Sequence, residues 1–155
     1  MMKSPLGEER RIEVSRVLEA SAARVFEFLA NPANHPHLDT SGMVRSSASQ
    51  VPITAVGDVF VMNMRNQMKG DHQVENHVIV FERCRAIGWA PAEPGRKPAG
   101  HTWVWRMTPV IEGRTSVSHI YDWSEFTPRE MLPYLPVLNR DQLQTSLDRL
   151  AQALA

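Results

Sequence analysis

The stretch GHTWVWRMTPVIEGRTSVSHIYDWSE, Gly100 to Glu125, decides the fold. Both halves alternate large apolar residues with small or polar ones, and Gly113-Arg114 between them suits a hairpin turn. In the first half Trp103, Trp105 and Met107 oppose Thr102, Val104 and Arg106. In the second, Val117, His119, Tyr121 and Trp123 oppose Ser116, Ser118 and Asp122. A period of two with one wet face is the signature of antiparallel sheet. Ile120 breaks the alternation, which asks either for a bulge or for a partly covered outer face.

Further strands precede this hairpin. GDVFVMNMR (57–65), HQVENHVIVFE (72–82) and RAIGWA (85–90) are rich in β-branched and aromatic residues, and MVRSSAS (43–49) is a weaker strand. Their inner faces carry Phe60, Met62 and Met64, then Val74, Asn76, Val78 and Val80, then Ile87 and Trp89. RIEVSRVL (11–18) alternates in the same way. After it, Ser21 as N-cap and ARVFEFLA give a short helix that Asn31-Pro32 ends, and Pro32 to Gly42 holds only a helical turn or a loop. PAEPGRKPAG (91–100) is a long connection. At the other end, Thr127-Pro128-Arg129-Glu130 reads as a capping box, interrupted by Pro133 and Pro136. The main helix begins between Pro136 and Asn139 and carries Leu143, Leu147, Leu150 and Leu154 as an apolar stripe. The chain is α+β: an antiparallel sheet of six to seven strands that must cover one long C-terminal helix.

Residues 1–9 read as a polar tail and 10–155 as a single domain, large enough for a core without staples. Lys plus Arg and Asp plus Glu both number 17, so no basic stripe points to nucleic acid. No apolar run reaches the length of a membrane span, and the start has no signal-peptide core. The lone Cys84 has no intrachain partner; its setting fits the cytoplasm, and no base partner makes it a nucleophile.

The ordered set VSRVLEASAARVFEFLANPANHPHLDTSG, VGDVFVMNMR, NHVIVFERCRAIGW, GHTWVWRMTPV and YDWS resembles the START-like superfamily, in particular its bacterial polyketide cyclase/dehydrase-like (SRPBCC) members. The resemblance runs from about Ile12 to the final leucines. It implies a helix-grip fold, a curved sheet wrapped around the C-terminal helix and enclosing an apolar cavity. In that family the cavity holds lipids, polyketides or other hydrophobic small molecules, and a minority of members are enzymes. The wall carried over residue by residue is Phe60, Met62, Met64, Asn76, Trp89, Trp103, Trp105, His119 and Tyr121. Two departures stand near the mouth: Leu38 where relatives often have Trp, and the long loop 91–100.

Three functions follow. The first is binding of a small hydrophobic ligand, with Asn76, His119 and Tyr121 fixing its polar end. The second is a cofactor-independent cyclase or dehydratase in which His119 and Tyr121 move protons. The third is an interaction module with an incidental cavity, for which MLPYLPVL (131–138) is the candidate surface, or else a lid. HPHLD (35–39) is read as a rim of exposed loop histidines with Asp39 in an Asx-type turn, and not as a metal cage, because Pro36 prevents the extended strand that convergence would need. Asp122 is expected to pair with Arg106, and Glu82, Arg83 and Arg85 to form a surface ion cluster. No cofactor is called for.

Overall fold

The computed structural model of the chain describes residues 10–155, so the polar tail lies outside the described residues. Seven strands form one antiparallel sheet: β1 (Arg11–Leu18), β2 (Val44–Ser47), β3 (Val59–Asn66), β4 (Gly70–Glu82), β5 (Ala86–Ala92), β6 (Thr102–Ile111) and β7 (Arg114–Asp122). Their order across the sheet is β1-β7-β6-β5-β4-β3-β2. Neighbours from β2 to β7 are sequential, as short connections require. β1 closes the far edge against β7, the one non-local pairing.

Two α-helices cover the inner face. Helix α1 (Ala22–Ala30) starts at Ser21, whose hydroxyl accepts from the Arg24 amide at 3.2 Å. It buries Val25, Phe26 and Leu29. Helix α2 (Arg140–Leu154) starts at Asn139, which exchanges a reciprocal capping box with Gln142. Leu143, Leu147 and Leu150 are fully buried against the sheet and Leu154 nearly so, as the leucine stripe demands. A curved antiparallel sheet gripping a C-terminal helix is the helix-grip fold.

Three local expectations need correcting. Thr127 does not cap the following 3-10 turn, Arg129–Tyr134, which begins at Pro128 without a side-chain cap. Its hydroxyl donates to the Ala99 carbonyl instead, tying this segment to the β5–β6 connection. In β4 the register shifts between Val78 and Val80. The extra residue, Ile79, is exposed, and the phase flips beyond it, so that Phe81 turns inward and meets Phe26 edge-on with ring centroids 5.1 Å apart. Val80, assigned to the inner face by unbroken alternation, sits past that bulge. Third, Asp122 lies opposite Thr102 and Arg106 opposite Ser118. The Asp122 carboxylate accepts from the Ser124 amide and hydroxyl. Neither Asp122–Arg106 nor an ion cluster of Glu82, Arg83 and Arg85 forms among the described residues.

For Ile120 the structure chooses between the two options. β7 pairs without a break from Ser116 to Asp122 on both sides, and Ile120 is nonetheless 7% exposed. The outer face is covered there, between Val104 and Glu13 on the flanking strands.

Candidate functional site

Cross-strand register sorts the inner face into rows. One row runs Ile87, Trp105, His119, Val14, and the next Val78, Trp89, Trp103, Tyr121, Ile12. A third joins Phe60, Asn76 and Pro91. Directly opposed side chains are close enough to interact, and the aromatics stack in pairs. Trp105 lies on His119 with centroids 3.6 Å apart and 9° between planes. Trp103 lies on Tyr121 at 3.9 Å and 7°.

Between these rows, the start of α2 and the segment 35–44 there is a cavity of about 220 Å³. Of the nine residues singled out in the sequence, Phe60, Met64, Asn76, Trp89, Trp103, Trp105 and His119 line it. Met62 and Tyr121 do not. Met62 is 3% exposed and packs in the core. Tyr121 is fully buried, and its hydroxyl accepts from the Val137 amide at 3.2 Å. Burial pushes its phenol up to about 12, against a smaller opposing effect of that hydrogen bond. Tyr121 thus holds the strap before α2 in place and does not share a wall with His119.

Besides Val74, which the strand pattern also turns inward, most of the remaining wall comes from residues that this pattern did not single out. Leu138, before α2, and Ser146, on α2, are both buried. Val137, exposed, joins them from the strap. His101 immediately precedes β6, and its ring meets Phe126 at 5.4 Å. His35 belongs to a 3-10 turn, Pro32–His37, whose entry Asn31 caps. Its Nε2 donates to the Leu29 carbonyl at 2.7 Å, because a carbonyl can only accept. The ring stacks on Trp89 at 4.7 Å and stands edge-on to Phe60 at 5.3 Å. His35 is therefore a wall residue, a correction to its reading as an exposed loop histidine, while His37 is exposed as expected.

Asp39 forms the expected Asx-type turn. Its carboxylate accepts from the amides of Ser41, Gly42 and Val44 and from the Ser41 hydroxyl. Two further bonds fasten this segment to α2: Thr40 donates to the Gln142 carbonyl at 3.0 Å, and Arg149 donates to the Asp39 carbonyl. No group of three or more metal-ligating side chains occurs among the described residues.

Electrostatically the cavity is quiet. Burial lowers His119 to about 3, and His35 and His101 to about 4, the His35 hydrogen bond opposing only in part. All three are neutral at pH 7. Nδ1 of His119 and of His101 is buried with no hydrogen-bond partner.

These shifts predict a pH dependence of stability. Above about pH 6.5 these rings are neutral in folded and unfolded chains alike. Below it, the unfolded chain takes up protons that the folded chain refuses until about pH 4 to 3. Stability is therefore complete above pH 6.5 and lost as pH falls through that window, by at most about 1.4 kcal/mol per pH unit for each ring. Urea unfolding from pH 7 to 4.5 should show this slope, and His119→Gln should remove about a third of it. A flat profile would mean that the rings are solvated.

No family model matches the chain. An uncharacterized protein of Mycobacterium tuberculosis is 28% identical over 113 residues, 71% of this chain and 47% of that protein, so the chain spans about half the length of this relative. Among solved structures, a Chromobacterium violaceum protein superposes with TM-score 0.65 at 16% identity, covering 94% of this chain and 96% of that one. A Rhodobacter sphaeroides protein does so with TM-score 0.65 at 17% identity, over 97% and 95%. The Aha1 dimer from Colwellia psychrerythraea matches with TM-score 0.61 at 16% identity, over 93% and 95%. At these identities the likeness is one of fold, and it agrees with the sheet and helix described above: the chain has a helix-grip fold.

Proposed function

We propose that the chain binds a small hydrophobic molecule in the cavity between its sheet and α2. The supporting observation is the cavity itself: about 220 Å³, lined by Trp89, Trp103 and Trp105 with a few polar groups interspersed. Apolar walls with sparse, placed polar groups are what small-molecule sites share. The fold agrees with this reading but does not select it, because one fold hosts many functions.

The cyclase-like alternative asks His119 and Tyr121 to act on one substrate. Tyr121 stands outside the wall with its hydroxyl engaged by Val137, and a ring lowered to about 3 is a weak base at neutral pH. The interaction-module alternative needs an apolar surface over 131–138. Leu138 is buried there and Leu135 packs against the core, which leaves Tyr134 and Val137 as the exposed large hydrophobics. Binding is the reading with the most support.

Native mass spectrometry of freshly purified chain tests it. The expected result is one small molecule per chain, released on denaturation. A chain that purifies empty, and whose melting temperature no neutral aromatic compound raises, would count against binding. A ligand at about 100 times its Kd should add about 2.7 kcal/mol, which is about 5–10 °C for a domain of this size.

A further inference from the structure

We infer that the ligand is a neutral, flat molecule of one or two rings carrying a hydroxyl-type group that meets His119. This inference rests on the cavity being a binding site, and it narrows what that site takes.

Size sets the first limit. An apolar cavity of about 150 Å³ accepts one benzene, whereas pockets for drug-sized ligands run from about 300 to 1,000 Å³. At about 220 Å³, the space suits a single substituted ring or two fused rings. A four-ring polyketide or a long acyl chain would have to extend beyond it. Three indoles in the wall, Trp103, Trp105 and Trp89, favour an aromatic occupant over a branched aliphatic one.

Charge sets the second. No Lys or Arg lines the cavity, so an anionic ligand would be buried without a counter-ion. The one carboxylate in the wall, Asp39, is already engaged by three amides and a hydroxyl, and offers a cation little.

Polarity sets the third. His119 is 5% exposed, lines the cavity and leaves Nδ1 without a partner. Nearly all buried polar atoms in folded proteins are paired, so an unpaired one in a wall marks where a ligand's polar atom is favoured. A neutral imidazole offers one N–H and one lone pair. A half-turn about its Cβ–Cγ bond preserves the planar contact with Trp105 and exchanges the ring edges. A hydroxyl, which both donates and accepts, satisfies whichever nitrogen the ring presents to it.

Titration calorimetry at pH 7.5 with 2-naphthol, naphthalene, 2-naphthoate and palmitate tests this. The expected order places 2-naphthol about tenfold tighter than naphthalene, the effect of one net hydrogen bond, with 2-naphthoate and palmitate weaker still. His119→Phe keeps a ring against Trp105 and should bring the 2-naphthol to naphthalene ratio to about one. Should that variant not fold, His119→Leu replaces it with the same expected ratio, and His119→Gln should retain a preference for 2-naphthol. Naphthalene or 2-naphthoate binding as tightly as 2-naphthol, or palmitate binding more tightly, would overturn the ligand class and leave the cavity as a binding site. A wild-type preference that His119→Phe or His119→Leu leaves intact would overturn the role of His119. Binding of none of the four would overturn both readings.

Discussion

Ser146→Phe is expected to leave the chain folded and to abolish ligand binding. Ser146 is the small residue on the buried face of α2, 3% exposed, next to Leu147 and in the cavity wall. In a close-packed core, such an enlargement forces neighbours off their rotamers and costs about 1–3 kcal/mol. Here the added ring has space to enter, because the wall borders about 220 Å³ of empty space. The melting temperature should change by no more than about 4 °C, the equivalent of about 1 kcal/mol. Stabilisation by added 2-naphthol and any co-purified mass should both vanish. A large drop in melting temperature would show that the space is already filled. Undiminished binding would show that the ligand sits elsewhere.

Gly100→Ala should cause the larger loss of stability. Gly100 has φ +117°, and a Cβ built on it would stand 1.9 Å from the Glu125 carbonyl oxygen and 2.4 Å from its carbon. Both are backbone atoms of the segment after β7, so no side chain can swing away. That segment is also bound to the β5–β6 connection, through the Thr127 amide to the Ala99 carbonyl at 2.9 Å. The unfavourable φ alone costs about 1–3 kcal/mol. Displacing the paired backbone brings the expected total to about 3 kcal/mol or more, or about 6–12 °C in melting temperature. Gly95 is the control. It too has a positive φ, +75°, but nothing lies within 4 Å of its added Cβ, so Gly95→Ala should cost only about 1–2 kcal/mol. Because His101 follows Gly100 and lines the cavity, Gly100→Ala should weaken ligand binding as well. Urea denaturation of the two variants measures the difference. Equal losses would place the cost in backbone conformation alone.

Much of the fold could be read from period and punctuation. The hairpin from Gly100 to Glu125 alternates cleanly, the leucines of α2 recur at helical spacing, and Asn139 lies at the end of the span in which that helix was expected to begin. The bulge at Ile79 was not legible, because Val78-Ile79-Val80-Phe81 is apolar throughout and carries no phase. Depth along a face was not legible either. Met62 and Met64 share a face, yet only Met64 reaches the cavity, since periodicity gives the side of a sheet and curvature decides what lies above it. Tyr121 belongs to the same limit: its row is correct, but Trp103 and the strap at Val137 take up its surroundings. His35 depends on a tertiary bond to Leu29 and on stacking with Trp89, which no local pattern encodes. Ser146 did leave a signal, a small polar residue beside Leu147 on an otherwise leucine-lined face, where a cavity needs a gap.

Methyl NMR of chain labelled at the methionine ε-carbons, titrated with benzene, asks most directly whether the space between sheet and α2 receives a ligand. Met43 and Met64 line the cavity; Met62 and Met107 are buried in the core and not in its wall, and Met68 is 63% exposed. Saturable shifts at Met43 and Met64, with the other three little moved, are expected. Silence at those two methyls, or a response led by Met68, would mean that side chains fill the space in solution and that binding, if any, happens on the surface.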